Sequence, residues 1–202
     1  MRRQAKERVT RMDDAITFIR EADKLKNIVR KTRNFSNERY ENDAEHSWHI
    51  CLMAITLQPW ANEAVDIARV LKMLILHDLG EIFCGDTIVY AKNDDHKRRE
   101  LEAAHDFFAM LGPLRQEEYY TLVNEFEARA TPEARYANAI DRAEPILQNM
   151  HHNGETWNKN NISFDRVVAL NAALVSEGSR PLWEYILRGL EGMRAAQRFS
   201  HE

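Results

Sequence analysis

Cysteine is scarce. Cys51 and Cys84 are the only two in 202 residues and do not form a Cys-x-x-Cys pair, so neither a disulfide framework nor a cysteine-built zinc site is expected to hold the fold. Both read as reduced, partly buried thiols. Proline and glycine are also few, five and seven, which removes the fibrous and low-complexity classes. No apolar run is long enough to cross a bilayer: VLKMLILHDLGEIF comes nearest and carries Lys72, His77, Asp78 and Glu81, so no membrane partner is expected. The opening MRRQAKERVTRMDD is basic, yet Asp13, Asp14, Arg20 and Glu21 interrupt any signal-peptide core, and the chain reads as cytoplasmic. An excess of positive charge is missing too. A net charge of -4 and a pI near 6.1 give no general attraction to nucleic acid. An anionic ligand therefore needs local positive charge, which a metal ion can supply.

What is present is hydrophobic residues at 44% and charged residues at 30%, with the apolar ones recurring at helical spacing and no sustained period-two alternation. That pattern predicts an all-α fold, a single domain over residues 1–202. A first helix is expected over residues 12–26 with Ile16, Ile19 and Leu25 inward. VRKTRNFSNERYENDA has no period and reads as an extended loop. A second helix, capped by Asn42 or Asp43, places His46, Ile50, Met53 and Leu57 on one stripe before Pro59 stops it. A third runs from Ala64 through Val70, Leu71, Leu74 and Ile75 to His77 and Asp78, ending near Gly80. Two helices follow, Asp94 to Leu111 and Pro113 to Ala128, the first with a charged face. Thr131 and Pro132 then cap a helix carrying Asp141, with a kink expected at Pro145. HHNGETWNKNN reads as turns, and two terminal helices, Phe164 to Ser176 and Pro181 to Gln197, pack on the core.

The most informative string is LKMLILHDLGEIFCGD, which ends an apolar helix on adjacent His77 and Asp78. A charged aspartate in such a place is costly unless compensated. The imidazoles of His46 and His77 with the carboxylates of Asp78 and Asp141 suit a borderline divalent ion and leave coordination positions open for water or substrate. Each residue also has a bland reading: His46 as a hydrogen-bonded core histidine, Asp78 as a helix end, Glu81 as a surface carboxylate and Asp86 as a turn residue after Gly85. Periodicity does not by itself show that the four converge.

The ordered strings AEHSWH, ILHDLGEIFCGD and AIDRAE resemble the HD superfamily of metal-dependent phosphohydrolases, and within it the 5′-deoxynucleotidase-like branch. The extended motif reads His77-Asp78-Leu79-Gly80-Glu81-Ile82-Phe83-Cys84-Gly85-Asp86, and the resemblance runs from about Leu25 to Gln148. It implies an HD-type helical bundle with a motif-bearing core over about residues 25–150, and one divalent ion on His46, His77, Asp78 and Asp141. Manganese, cobalt, iron, nickel and zinc all suit that donor set. Glu81 and Asp86 are implied beside the phosphate, Glu81 taking a proton from water and Asp86 assisting the leaving alcohol or holding a substrate hydroxyl. Lys26, Arg30, Lys31 and Arg33 are candidates for phosphate contacts, and Arg30 is the choice because Leu25 and Arg30 match a Leu-x-x-x-x-Arg pattern of the branch. An Arg-Trp pair found in some members has no counterpart: the corresponding residues are Glu21-Ala22-Asp23.

The resemblance implies a nucleotidase that hydrolyses ribo- or deoxyribonucleoside 5′-monophosphates to nucleoside and phosphate, and a homodimer. Two other classes stay open on the sequence: a nucleotide-binding HD protein without turnover, and a di-iron HD oxygenase. The oxygenase needs further ligands. His96 lies on a charged helix face, and His151 and His152 lie in a turn-like segment, while His49 is expected behind the metal or in the core rather than on it.

Overall fold

The computed structural model describes residues 11–36, 39–85 and 94–199. Asp86, one of the two expected catalytic carboxylates, lies outside them. Among the described residues the architecture is helical throughout except for one hairpin. In chain order the elements are α1 (Met12–Ala22), β1 (Val29–Arg33), β2 (Tyr40–Asn42), α2 (Asp43–Leu57), α3 (Ile67–Leu76), α4 (Glu81–Cys84), α5 (Asp94–Phe108), α6 (Pro113–Ala128), α7 (Pro132–His151), α8 (Glu155–Lys159), α9 (Phe164–Gly178) and α10 (Arg180–Ala195). The all-α expectation holds.

Helix α7 is the axis of the bundle. Ala134, Tyr136, Ala137, Ala139, Ile140, Ala143 and Ile146 are all buried, so this helix is covered on most sides, and its alanines let neighbours come close. A Cβ on Gly178 of α9 would stand 2.4 Å from the Arg135 carbonyl oxygen of α7, which is why glycine ends α9 there. Thr131 caps α7 through the Ala134 N–H with Pro132 in the first turn, as Thr-Pro predicts. The helix runs on unbroken through Pro145, although Pro145 has no N–H to offer the carbonyl one turn before it.

Three sequence expectations need correction. The segment expected as an extended loop forms the antiparallel hairpin β1 to β2, with Val29 opposite Asn42 and Arg33 opposite Tyr40 across a bulge. The strand escaped notice because its more enclosed residues include Arg30 and Thr32 rather than apolar side chains. In α1 the inward residue is Phe18, stacked on Phe107 at 4.5 Å, while Ile16 and Ile19 are exposed. Ala15, Phe18, Ala22 and Leu25 share a helical spacing as good as that of the two isoleucines, and bring the ring onto α5. The turn-like HHNGETWNKNN contains the short helix α8, entered through Gly154 at φ 76°.

Candidate metal centre

Three elements aim four side chains at one point. A capping box closes the start of α2: the Asn42 side chain accepts from the Glu45 N–H and Glu45 accepts from the Asn42 N–H. This fixes the first turn, from which His46 points inward with no solvent exposure. Helix α3 stops at Leu76, so His77 and Asp78 leave its end. Asp141 comes from the middle of α7.

His46 Nε2 lies 3.1 Å from Asp141 Oδ1 and 3.9 Å from Asp78 Oδ2, and His77 Nε2 lies 3.1 Å from Asp78 Oδ1 and 3.4 Å from Asp141 Oδ1. Donors roughly 2.1 Å from a shared ion at cis or tetrahedral angles stand roughly 3.0–3.5 Å apart, a range that three of the four separations meet and that the 3.9 Å pair exceeds. The far side of each ring is tied off. His77 Nδ1 stands 3.0 Å from the Leu74 carbonyl oxygen. A carbonyl only accepts, so Nδ1 carries the proton and Nε2 is left as a donor atom for a metal. That Nε2 is buried and makes no hydrogen bond of its own, as expected of a ligand atom. His46 Nδ1 faces Glu144 Oε2 at 3.3 Å.

The charges are coupled. Burial and the Arg30 charge push the His46 imidazole down, but contacts with Asp141 and Glu144 outweigh them and its pKa stands at about 9. His77 is likewise driven well above its ordinary value, burial being overcome by the Asp78 charge and the Asp141 carboxylate. Burial raises Asp78 and Asp141, and the two histidines more than reverse that, holding both well below the carboxylate range. Four groups so arranged are two imidazoliums against two carboxylates, a charge pattern that one divalent ion replaces when the imidazoles release their protons.

Glu81, the first residue of α4, is 2% exposed, and its carboxylate, with those of Asp43 and Asp78, offers oxygens within 4.8 Å of one another. Arg30 enters from β1, with Nη1 3.1 Å from Asp43 Oδ1 and 3.4 Å from Asp78 Oδ2, and Nε 3.5 Å from Glu41 Oε2. The expected phosphate-binding arginine thus sits at the centre, on its carboxylates. The other candidates are dispersed: Lys26 pairs with Asp23 on the surface and Arg33 with Glu155.

A cavity of about 340 Å³ opens against His77, Asp78 and Asp141. Lys97, Arg129 and Arg142 lie in its wall, with Leu101, Phe126, Leu170 and Leu174. Sequence reasoning missed these three cations because they come from α5, the end of α6 and α7, far from the first histidine in the chain. It also missed the layer behind His46. Glu144 Oε1 is 3.1 Å from His49 Nδ1, and Gln148 Nε2 contacts Glu144 and reaches Glu41 Oε1 at 2.9 Å. His49 therefore stands behind the centre, as expected. A signal was available, since Asp141, Glu144 and Gln148 follow at the i, i+3, i+7 spacing of one helix face.

The HD-domain family model matches residues 22–183. The chain belongs to the HD-domain family. It is similar to the 5′-deoxynucleotidase HDDC2 of Danio rerio, 29% identical over 141 residues covering 68% of each chain, and to the human protein of the same name, 28% identical over 137 residues covering 66% of this chain and 65% of that one. This HD protein thus spans about two thirds of those relatives. A solved structure described as a predicted metal-dependent phosphohydrolase from Magnetospirillum magnetotacticum superposes with a TM-score of 0.88 at 39% identity, covering 94% of this chain and 96% of that one. A Pyrococcus furiosus protein superposes at 0.57 with 24% identity, a likeness of fold alone. Among the described residues no helix is long and apolar enough to cross a membrane.

Proposed function

We propose that this HD protein is a metal-dependent phosphomonoesterase that cleaves ribo- or deoxyribonucleoside 5′-monophosphates to nucleoside and phosphate. The observation that carries the reading is the convergence of two imidazole Nε2 atoms and two carboxylates, of which His77, Asp78 and Asp141 line a cavity with three cations in its wall. His46, His77, Asp78 and Asp141 hold one divalent ion. When bound, it supplies positive charge to the phosphoryl oxygens and acidifies a water.

The remaining roles belong to side chains. Lys97, Arg129 and Arg142 meet the dianionic phosphate, with Arg30 adding charge from the ligand side while it anchors Asp43 and Asp78. The apolar wall of Leu101, Phe126, Leu170 and Leu174 takes the nucleoside. Glu81, enclosed beside Asp78, takes a proton from the attacking water as its oxygen bonds to phosphorus, and Asp86 assists the departing 5′-alcohol as the ester bond breaks. The names of the relatives and of the superposed structure support this class of reaction.

The test is a phosphate-release screen over ribo- and deoxyribonucleoside monophosphates with the stripped protein reloaded with manganese, cobalt, iron, nickel or zinc. Orthophosphate release that disappears in His77→Ala is expected. Nucleotide binding with no release under any metal would favour the non-catalytic reading, and two tightly held irons with oxygen uptake the oxygenase. We place the enzyme in the cytoplasm as a homodimer. Exposed Trp48, Leu52 and Ile55, spaced i, i+4, i+7 along α2, offer an apolar stripe for the contact, and light scattering at the mass of one chain would dismiss it.

A further inference from the structure

We infer that Glu144 is a positioning residue: from behind the metal centre its carboxylate fixes the tautomer and the angle of the His46 ring. The inference rests on the reading of His46 as a metal ligand, and it concerns a residue to which the HD motif assigns no role.

Helix α7 meets both nitrogens of one imidazole. Asp141 Oδ1 stands 3.1 Å from His46 Nε2, and Glu144 Oε2, one turn further along, stands 3.3 Å from Nδ1. Both carboxylates can only accept when ionised; with a cation on Nε2 in place of the hydrogen bond to Asp141, Glu144 would keep the ring proton at Nδ1 and the Nε2 lone pair toward the ion. The ring cannot invert without losing both contacts. His46 and Glu144 are each 0% exposed, so water does not compete for either. At 3.3 Å the Nδ1 contact falls short of full hydrogen-bond geometry, leaving room for the ring to settle onto the carboxylate when an ion draws on Nε2.

The carboxylate is itself held in place. His49 Nδ1 contacts Oε1 at 3.1 Å, and the Gln148 amide contacts Glu144 while donating to Glu41 Oε1 at 2.9 Å. Folding alone gives no reason for this arrangement. The neighbouring α7 residues Ala143 and Ile146 are buried and apolar, and a buried carboxylate destabilises unless its partners repay its dehydration. A histidine that must present one nitrogen to a cation supplies the reason.

The experiment measures manganese affinity of the full chain by the electron paramagnetic resonance of free ion, alongside nitrogen NMR of the histidine rings in the zinc-loaded protein. Glu144→Ala is expected to weaken affinity about tenfold to hundredfold and to erase the His46 Nδ1–H signal. Glu144→Gln, which keeps an acceptor oxygen without the charge, is expected to retain that signal and lose less affinity. Tyr136→Phe, on the same helix as Glu144, removes a buried hydrogen bond to the Ala54 carbonyl of α2, and is expected to lower the melting temperature with affinity unchanged. Affinity within twofold of wild type in Glu144→Gln, and in Glu144→Ala where that variant folds, overturns the inference. Metal binding that depends on Glu144 with no nucleotide hydrolysis by the wild type upholds the inference and removes the proposed activity. No metal binding by the wild type overturns both.

Discussion

His46 and His77 present the same atom to the same point, but the protein holds them in different ways. His77 is set by its own helix: α3 runs out at Leu76, and the ring at its end takes the Leu74 carbonyl at 3.0 Å. His46 is set from a distance by Glu144, Gln148 and Glu41, brought to it by α7 and β2. One candidate ligand is therefore fixed by local geometry and the other by tertiary packing. Lesions that miss both histidines should act on them unequally.

The largest effect should show no asymmetry. His46→Ala and His77→Ala each remove one of the four proposed ligands, and both should reduce phosphate release to background and abolish tight metal uptake, read by metal analysis after dialysis. Glu81→Ala spares the ligands, and should lower turnover by about 10²–10⁴ while the ion stays bound; near-normal turnover would remove Glu81 from the mechanism.

The asymmetry shows next. Leu74 holds His77 through its backbone, so Leu74→Met should leave metal affinity unchanged at a stability cost below about 1.5 kcal/mol, measured by denaturant unfolding. Glu144→Ala should weaken affinity substantially, and equal behaviour of the two variants would erase the distinction.

Acidity gives a further test. In the metal-free protein both imidazoles carry pKa values above the ordinary one, His46 at about 9. Their contribution to stability is full below the unfolded histidine pKa and is lost as pH rises through the folded values, about 9 for His46. The depressed Asp78 and Asp141 contribute above the ordinary carboxylate pKa and lose that contribution as pH falls through their folded values. The metal-free fold should therefore weaken from neutral pH toward 9, while metal affinity should rise over the same range by about tenfold per unit for each proton displaced. Calorimetry in buffers of different ionisation enthalpy counts those protons. The smallest effect is Arg142→Ala, which should raise KM for the nucleotide about tenfold, as loss of one charge-assisted contact does, with metal affinity unchanged.

Much of this difference between the histidines governed what was legible in the sequence. His77, Asp78 and Glu81 lie in one continuous motif, and Thr131 with Pro132 announces the helix of Asp141, so the helical class could be read directly and the candidate ligands could be named from the motif's resemblance. The hairpin could not, because its more enclosed residues include Arg30, which meets carboxylates, and Thr32, and they leave no apolar alternation. Nor could the cavity cations, since Lys97, Arg129 and Arg142 meet only when α5, α6 and α7 pack. The face of α1 was misread because two stripes share the same spacing and only the ring partner Phe107 chooses between them. Glu144 and Gln148 were visible as a polar stripe continuing from Asp141, but their object, a ring 95 residues before Asp141, is supplied by the fold.

The most direct test of the metal centre is a titration of stripped protein with manganese, following bound ion and orthophosphate release from a deoxyribonucleoside 5′-monophosphate in the same samples. Release should climb with occupancy and level off at one ion per chain, with His77→Ala flat throughout. Release that is full before any ion is added, or that is retained by His77→Ala, would contradict the account.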